Sequence, residues 1–235
     1  MSAATSWFWI GAIGMAAGTV APAWRLATER RHRAHYAVLA LITGIATVAY
    51  ATMALGIGGI DVGGTVLYLP RYVDWLLTTP LLVLYLGLLC RPSRRVYAAL
   101  VAVDVFVMGS GVVAGLLDGT AKYAMYLAGS VAYLGLLWLL LRTLPRAATG
   151  YSDRVDAVFT KLRNLTVVLW TLYPVVWILS PLGLGLLDVG TEVLVVTYLD
   201  LISKVGFVVI AVNGRDALDS LADDAAVPVE RSAAD

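Results

Sequence analysis

Charge is scarce in this chain. Asp, Glu, Lys and Arg make up 14% of its 235 residues, against about 25% in soluble domains. The 17 Lys+Arg and 16 Asp+Glu nearly cancel, leaving a net charge of +1, so there is no field to hold nucleic acid or another polyanion. Cysteine is almost missing. Cys90 stands alone, which excludes a disulfide framework within the chain. Two histidines, His32 and His35, are too few for a His-based metal cluster. The opening MSAATSWFWIGAIGM has neither a basic leader nor an A-x-A cleavage site, so the first apolar stretch is expected to stay in the protein. Apolar residues are what the chain has in abundance, at 60%, with a mean hydropathy of +0.83. This balance excludes disorder, collagen and coiled coil, and points to a chain solvated mostly by lipid.

A bilayer is crossed by about 20 mostly apolar residues in a helix. Such runs occur seven times, at roughly 4–26, 34–56, 70–90, 95–117, 121–144, 155–180 and 190–213. The segments between them, among them TERRHRAH, CRPSRR, LDGTAK and SPLGLGLLD, are short, so successive helices are antiparallel neighbours. IGGIDVGGTVLYLP suits a small hairpin. The expected fold is an all-α membrane protein, a seven-transmembrane-helix bundle over residues 1–220. Residues 221–235 are small and acidic and are expected to form a disordered tail. Fourteen of the seventeen basic residues fall on one side of this topology. The positive-inside rule then puts the N-terminus outside and the C-terminus in the cytoplasm, in a multi-pass plasma-membrane protein.

Few ionisable residues lie within the spans: Asp74, Asp104, and Asp200 with Lys204, while Arg71 stands near one end. A charge at mid-bilayer costs about 2.5–3.5 kcal/mol on insertion scales and by default marks a functional interior. Asp200 and Lys204 are four apart and share a helix face. Arg71, Asp74 and Thr78 likewise share one. Packed together they give one lysine facing two carboxylates, with an arginine on the outer side. An ion-pair cluster that only fixes helix packing has the same pattern. So does a Schiff-base lysine, because desolvation favours the neutral, nucleophilic amine. Its iminium product needs counterions.

The aromatic residues narrow the choice of ligand. Trp170, Tyr173 and Trp177 fall at i, i+3 and i+7 around Pro174, which removes a helix hydrogen bond in mid-span. Trp75 lies next to Asp74. Trp170 and Tyr173 lie too deep for an interfacial belt, and a slot of stacked indoles suits a long, flat, apolar ligand.

RYVDWLLTTP at 71–80, LWTLYPVVW at 169–177 and YLDLISKVGF at 198–207 resemble signatures of the microbial (type 1) rhodopsins. FWIGAIGMAAGT and AYATMALGIG are similar to the haloarchaeal sensory rhodopsin II (phoborhodopsin) branch. The resemblance covers the chain up to its tail. It implies all-trans-retinal bound as a protonated Schiff base on Lys204, Asp74 as counterion and proton acceptor, Asp200 as second counterion, and Arg71 supporting an outer water network. It implies that Trp75, Trp170, Trp177 and Tyr126 line the slot and that Gly129 lies near the ring. Thr78 and Thr79 would sit beneath the chromophore, with Thr79 bonded to Asp104. Tyr173 would bond Ser203, and Tyr50 would contact Asp200. Glu192 matches one carboxylate of a pump's proton-release pair, and Leu182 occupies about the place of the other. The implied function is a blue-green photosensory receptor, not an enzyme, signalling photophobic phototaxis through a methyl-accepting membrane transducer docked on helices six and seven. Tyr198 would be a contact there, although an interfacial tyrosine fits that position too. A light-driven outward proton pump is the alternative, and homo-oligomerisation stays open.

Overall fold

The computed structural model describes residues 2–147 and 152–226, with side chains through 146 and from 152 to 221. Seven helices among these residues are long and apolar enough to cross a membrane. They are α1 (Ala3–Thr28), α2 (Arg33–Ala54), α3 (Leu69–Cys90), α4 (Arg94–Leu116), α5 (Gly119–Trp138, running on through Ala147), α6 (Asp153–Leu179) and α7 (Val189–Asp200, running on through Asn213). Polar caps set the starts of two. The Ser2 hydroxyl accepts from the Thr5 amide, and the Asp188 carboxylate accepts from the Thr191 amide at 3.0 Å.

The expected hairpin forms between α2 and α3. Strand β1 (Gly59–Val62) pairs antiparallel with β2 (Thr65–Tyr68). Its two-residue turn is Gly63–Gly64 at φ 58° and 83°; the matching right-handed strand twist asks for positive φ at both positions. This end of the bundle is called the hairpin end here. The opposite end carries the arginine-rich turns and is called the basic end.

Neighbouring helices pack in chain order, α3 also meets α6, and α1 returns to α7 to close the ring. The α1–α7 approach explains Gly14 and Gly18. A Cβ at Gly14 would lie 2.5 Å from Leu201, and one at Gly18 2.8 Å from Val205. Small residues allow this closeness. Large apolar side chains such as Trp24, Leu127 and Val168 stand exposed on the outside, where lipid replaces water as their solvent.

Two features depart from the expectation. Both α5 and α7 contain a π-helical turn, at Leu139–Thr143 and Leu201–Gly206. The tail does not lose its structure at 221: helix α8 runs Arg215–Ala226. Its Ala217, Leu218 and Leu221 are buried in the main core; of these only Leu221 falls within the stretch expected to be disordered. The remainder of that expectation, 227–235, lies outside the described residues.

Candidate functional site

The π turn of α7 carries Lys204 into the centre of the bundle, where it is buried. Its Nζ bonds Asp74 Oδ2 on α3 and lies 3.7 Å from Asp200 Oδ1 on its own helix. Asp74 is fully buried and takes a second bond from the Thr78 hydroxyl at 3.2 Å. Asp200 is held from three helices. Tyr50 donates to Oδ2 at 2.7 Å, Tyr173 to Oδ1 at 2.7 Å, and the Trp75 indole to Oδ1 at 3.1 Å. The expected Tyr173–Ser203 contact is present at 3.2 Å. Removing one partner of such a buried pair strands the other charge, at a cost of about 3–5 kcal/mol.

Towards the hairpin end, Arg71 is buried and pairs with Glu192 at 2.5 Å, not with Asp74 or Asp200. The guanidinium also lies over the Tyr68 ring, 5.5 Å from its centroid. The sequence placed Arg71 on the outer side, and its partner was not read there. The available signal was spacing: Glu192 stands two turns before Asp200 on α7, as Arg71 stands one turn before Asp74 on α3. Leu182 shares a small cavity with Glu192, Arg71 and Ser180, so no second carboxylate joins Glu192 in that cavity.

A cavity of about 800 Å³, open mouth included, extends from Lys204 between α3, α4, α5 and α6. Trp75, Thr79, Tyr126, Gly129, Trp170, Tyr173, Trp177 and Ser203 all line it. Tyr126 and Trp177 stack at 5.0 Å with a 14° interplanar angle, and Trp75 meets Tyr173 edge-on at 5.2 Å. The Pro174 carbonyl accepts from Tyr126 at 3.0 Å, tying α6 to α5 beside the break in the ladder. A Cβ at Gly129 would collide with the Ser110 hydroxyl. The Thr78 hydroxyl turns to the Asp74 carboxylate and backbone carbonyl. Thr79 lines the cavity and bonds Asp104 at 2.8 Å, linking α3 to α4. Sequence reasoning missed Tyr72, whose hydroxyl accepts from the Trp177 indole at 3.2 Å. It sits three positions before Trp75, on the same helix face, and that spacing was the signal for it.

Residues 2–218 match the family model described as bacteriorhodopsin-like protein. The chain belongs to that family. It is 53% identical to sensory rhodopsin-2 of Halobacterium salinarum over 227 residues, covering 96% of this chain and 95% of that one. Identity to sensory rhodopsin-2 of Natronomonas pharaonis is 42%, covering 91% and 90% of the two chains. A bacteriorhodopsin of Haloterrigena is 40% identical, covering 94% and 92%. Among solved structures, cyanorhodopsin from the cyanobacterium Calothrix superposes with a TM-score of 0.91 at 30% identity, covering 94% of this chain and 99% of that one. As a family member with seven spanning helices, the protein is a multi-pass plasma-membrane protein.

Proposed function

We propose that the protein works as a retinal-based photosensory receptor, with Lys204 as the attachment point. Its similarity to sensory rhodopsin-2 supports a photosensory receptor over a proton pump. Retinal supplies a conjugated, light-isomerisable chain whose terminal aldehyde condenses with an amine, releasing water. The site fits that group: one buried amine at the end of a flat aromatic slot, with a carboxylate bonded to it. Trp75, Trp170, Trp177 and Tyr126 would hold the chain by stacking, and Gly129 lines the slot where α4 packs close at Ser110.

The chain's own residues then move one proton. Asp74 Oδ2, already bonded to Lys204 Nζ, receives the Nζ proton after light. Asp200 stays in place as a fixed negative charge because Tyr50, Tyr173 and Trp75 all donate to it. Arg71 is engaged by Glu192. Asp104 is tied to Thr79 and lies on α4. Motion at Lys204 pushes on Ser203 and so on Tyr173 of α6.

The observation that carries the sensory reading is the basic half of α3. Eleven residues beyond Asp74, about 16 Å along the helix, stands Tyr85, buried in the hydrophobic core, and PLLVLYLGLLC contains no acid. A pump must resupply Lys204 Nζ quickly in each cycle, and a carboxylic acid at this depth would do so. Without it the signalling state persists, which suits a receptor.

The N-terminus outside and the basic end in the cytoplasm follow from the arginine distribution. The partner is a methyl-accepting membrane transducer docked on the outer faces of α6 and α7. Tyr198 supports this reading, being 52% exposed and tilted against Trp7 of α1 at 5.9 Å. The test is flash photolysis of the retinal-loaded protein with a pH electrode, with and without transducer. Slow recovery and loss of net proton release on adding the transducer are expected. Millisecond recovery with sustained proton export in both conditions would assign it as a pump.

A further inference from the structure

The basic half of the bundle is not wholly apolar. His32 is buried and its Nε2 lies 2.9 Å from Asp219 Oδ1 on α8, a carboxylate 37% exposed to solvent. One helical turn further in, the His35 ring stands 6.2 Å from that of His32. Beyond it, Tyr85 of α3 meets His35 edge-on at 5.8 Å. Tyr85 in turn meets Phe207 at 5.6 Å, three residues past Lys204. Both His35 ring nitrogens and the Tyr85 hydroxyl are sealed from solvent and have no hydrogen-bond partner among the described residues. Buried polar atoms are almost always satisfied, by ordered water where protein does not reach. The rings are too far apart to bond one another directly, and water-mediated bonds span such distances.

We propose that His35 and Tyr85, reached past His32, form a hydrated proton-uptake port that feeds Lys204 from the basic end. This rests on the photocycle reading above. An imidazole can accept at one nitrogen while it donates from the other, and a phenol hydroxyl can do both. A proton taken from bulk at Asp219 passes to His32, through water to His35, and through water to Tyr85. Each group gives up one proton as it gains another, so none changes its net charge. The last stretch is apolar: Leu82 and Phe207 are fully buried, and Leu82 also lines the cavity at Lys204. That plug is the slow step, and the port sets how many protons wait behind it. The charges around the mouth are Arg25 of α1 with Glu29 just beyond its end, Arg31, Arg91 just beyond α3, and Arg215 with Asp219 of α8. Arginines outnumber carboxylates there, so recovery should quicken with added salt, which screens them.

Two measurements decide the port. In the retinal-free protein carrying nitrogen-15 histidine, NMR should show a water cross-peak to the His35 imidazole; a dry imidazole overturns the port. In the retinal-loaded protein, His35→Gln and Tyr85→Phe should each slow recovery several-fold with the absorption band unmoved. Azide, which carries protons by itself, should erase the difference from the parent. Parent-rate recovery in both variants also overturns it. A parent chain that forms no pigment with retinal would sink the photoreceptor reading instead, and the NMR measurement would still judge the port.

Discussion

Lys204 passes over the carboxylate on its own helix and pairs with one on another: Nζ bonds Asp74 on α3, while Asp200, one turn back on α7, stays 3.7 Å away. The nearer charge should therefore dominate the electronics at Nζ. Asp74→Asn removes that charge without changing its shape. The retinal-loaded variant is expected to absorb further to the red, because less negative charge holds the positive end in place. It also loses the site that takes the Nζ proton. An unmoved band with an unchanged photocycle would give the role to Asp200.

Lys204→Ala removes the amine. Reconstitution with all-trans-retinal should give no visible pigment. The variant also leaves Asp74 without its cation, a loss of about 3–5 kcal/mol for a broken buried pair. Its thermal unfolding should therefore start below that of the retinal-free parent. A normal visible band would end the attachment assignment.

Ser203 lies between the attachment point and Tyr173 on α6, at 3.2 Å. Ser203→Ala should leave the pigment formed and the colour nearly intact, since Asp200 keeps its bonds from Tyr50 and Tyr173. Light responses in cells should weaken. Full phototaxis from this variant would show that the push travels by another contact.

Tyr85 occupies the depth at which a pump would keep an acid. Tyr85→Asp supplies one and should speed recovery of the illuminated protein by about the 10²–10⁴-fold of a placed general acid. Azide should accelerate the parent protein as well. If neither changes the rate, proton resupply is not what limits recovery.

The docking of α8 is predicted to depend on pH. Hydrogen bonding from His32 lowers the Asp219 carboxyl from its ordinary 3.8, and Arg25 lowers that of Glu29, which also reaches Arg215, from 4.5. A carboxylate lowered in the folded state stabilises it above the ordinary value, and that support is lost as pH falls through the lowered one. Amide protection of Ala217–Leu221, corrected for intrinsic exchange, should hold near neutrality and fall below about pH 4. Asp219→Asn should flatten part of that dependence. Protection that ignores pH in both proteins would show that burial of Leu218 and Leu221 suffices.

The seven spans were legible because length and hydropathy alone specify a membrane helix. Gly63–Gly64 announced the hairpin through turn chemistry. The lysine, the two aspartates and the tryptophan slot stood out because charge and helical spacing are both readable along one chain. What was hidden depended on meetings between distant helices. Arg71 takes Glu192, 121 residues away, and only the spacing of Glu192 from Asp200 pointed to that partner over Asp74. The tail looked too polar to pack, but Leu221 at its start, on the same face of α8 as Ala217 and Leu218, reaches the core.

The π turn at Leu201–Gly206 also resets the phase of α7. An α-helix turns each residue by about 100°, and a π turn accommodates about one extra residue. Every side chain after Gly206 is therefore rotated by roughly a third of a circle from where an unbroken helix would put it. Buried Phe207 and exposed Val209 owe their sides of the bundle to that offset. Tightening this one turn to regular α-helix would screw the last stretch of α7 around its own axis. Residues facing lipid would then turn toward the protein, so the wide turn that carries Lys204 also decides which side chains of the last stretch of α7 meet lipid.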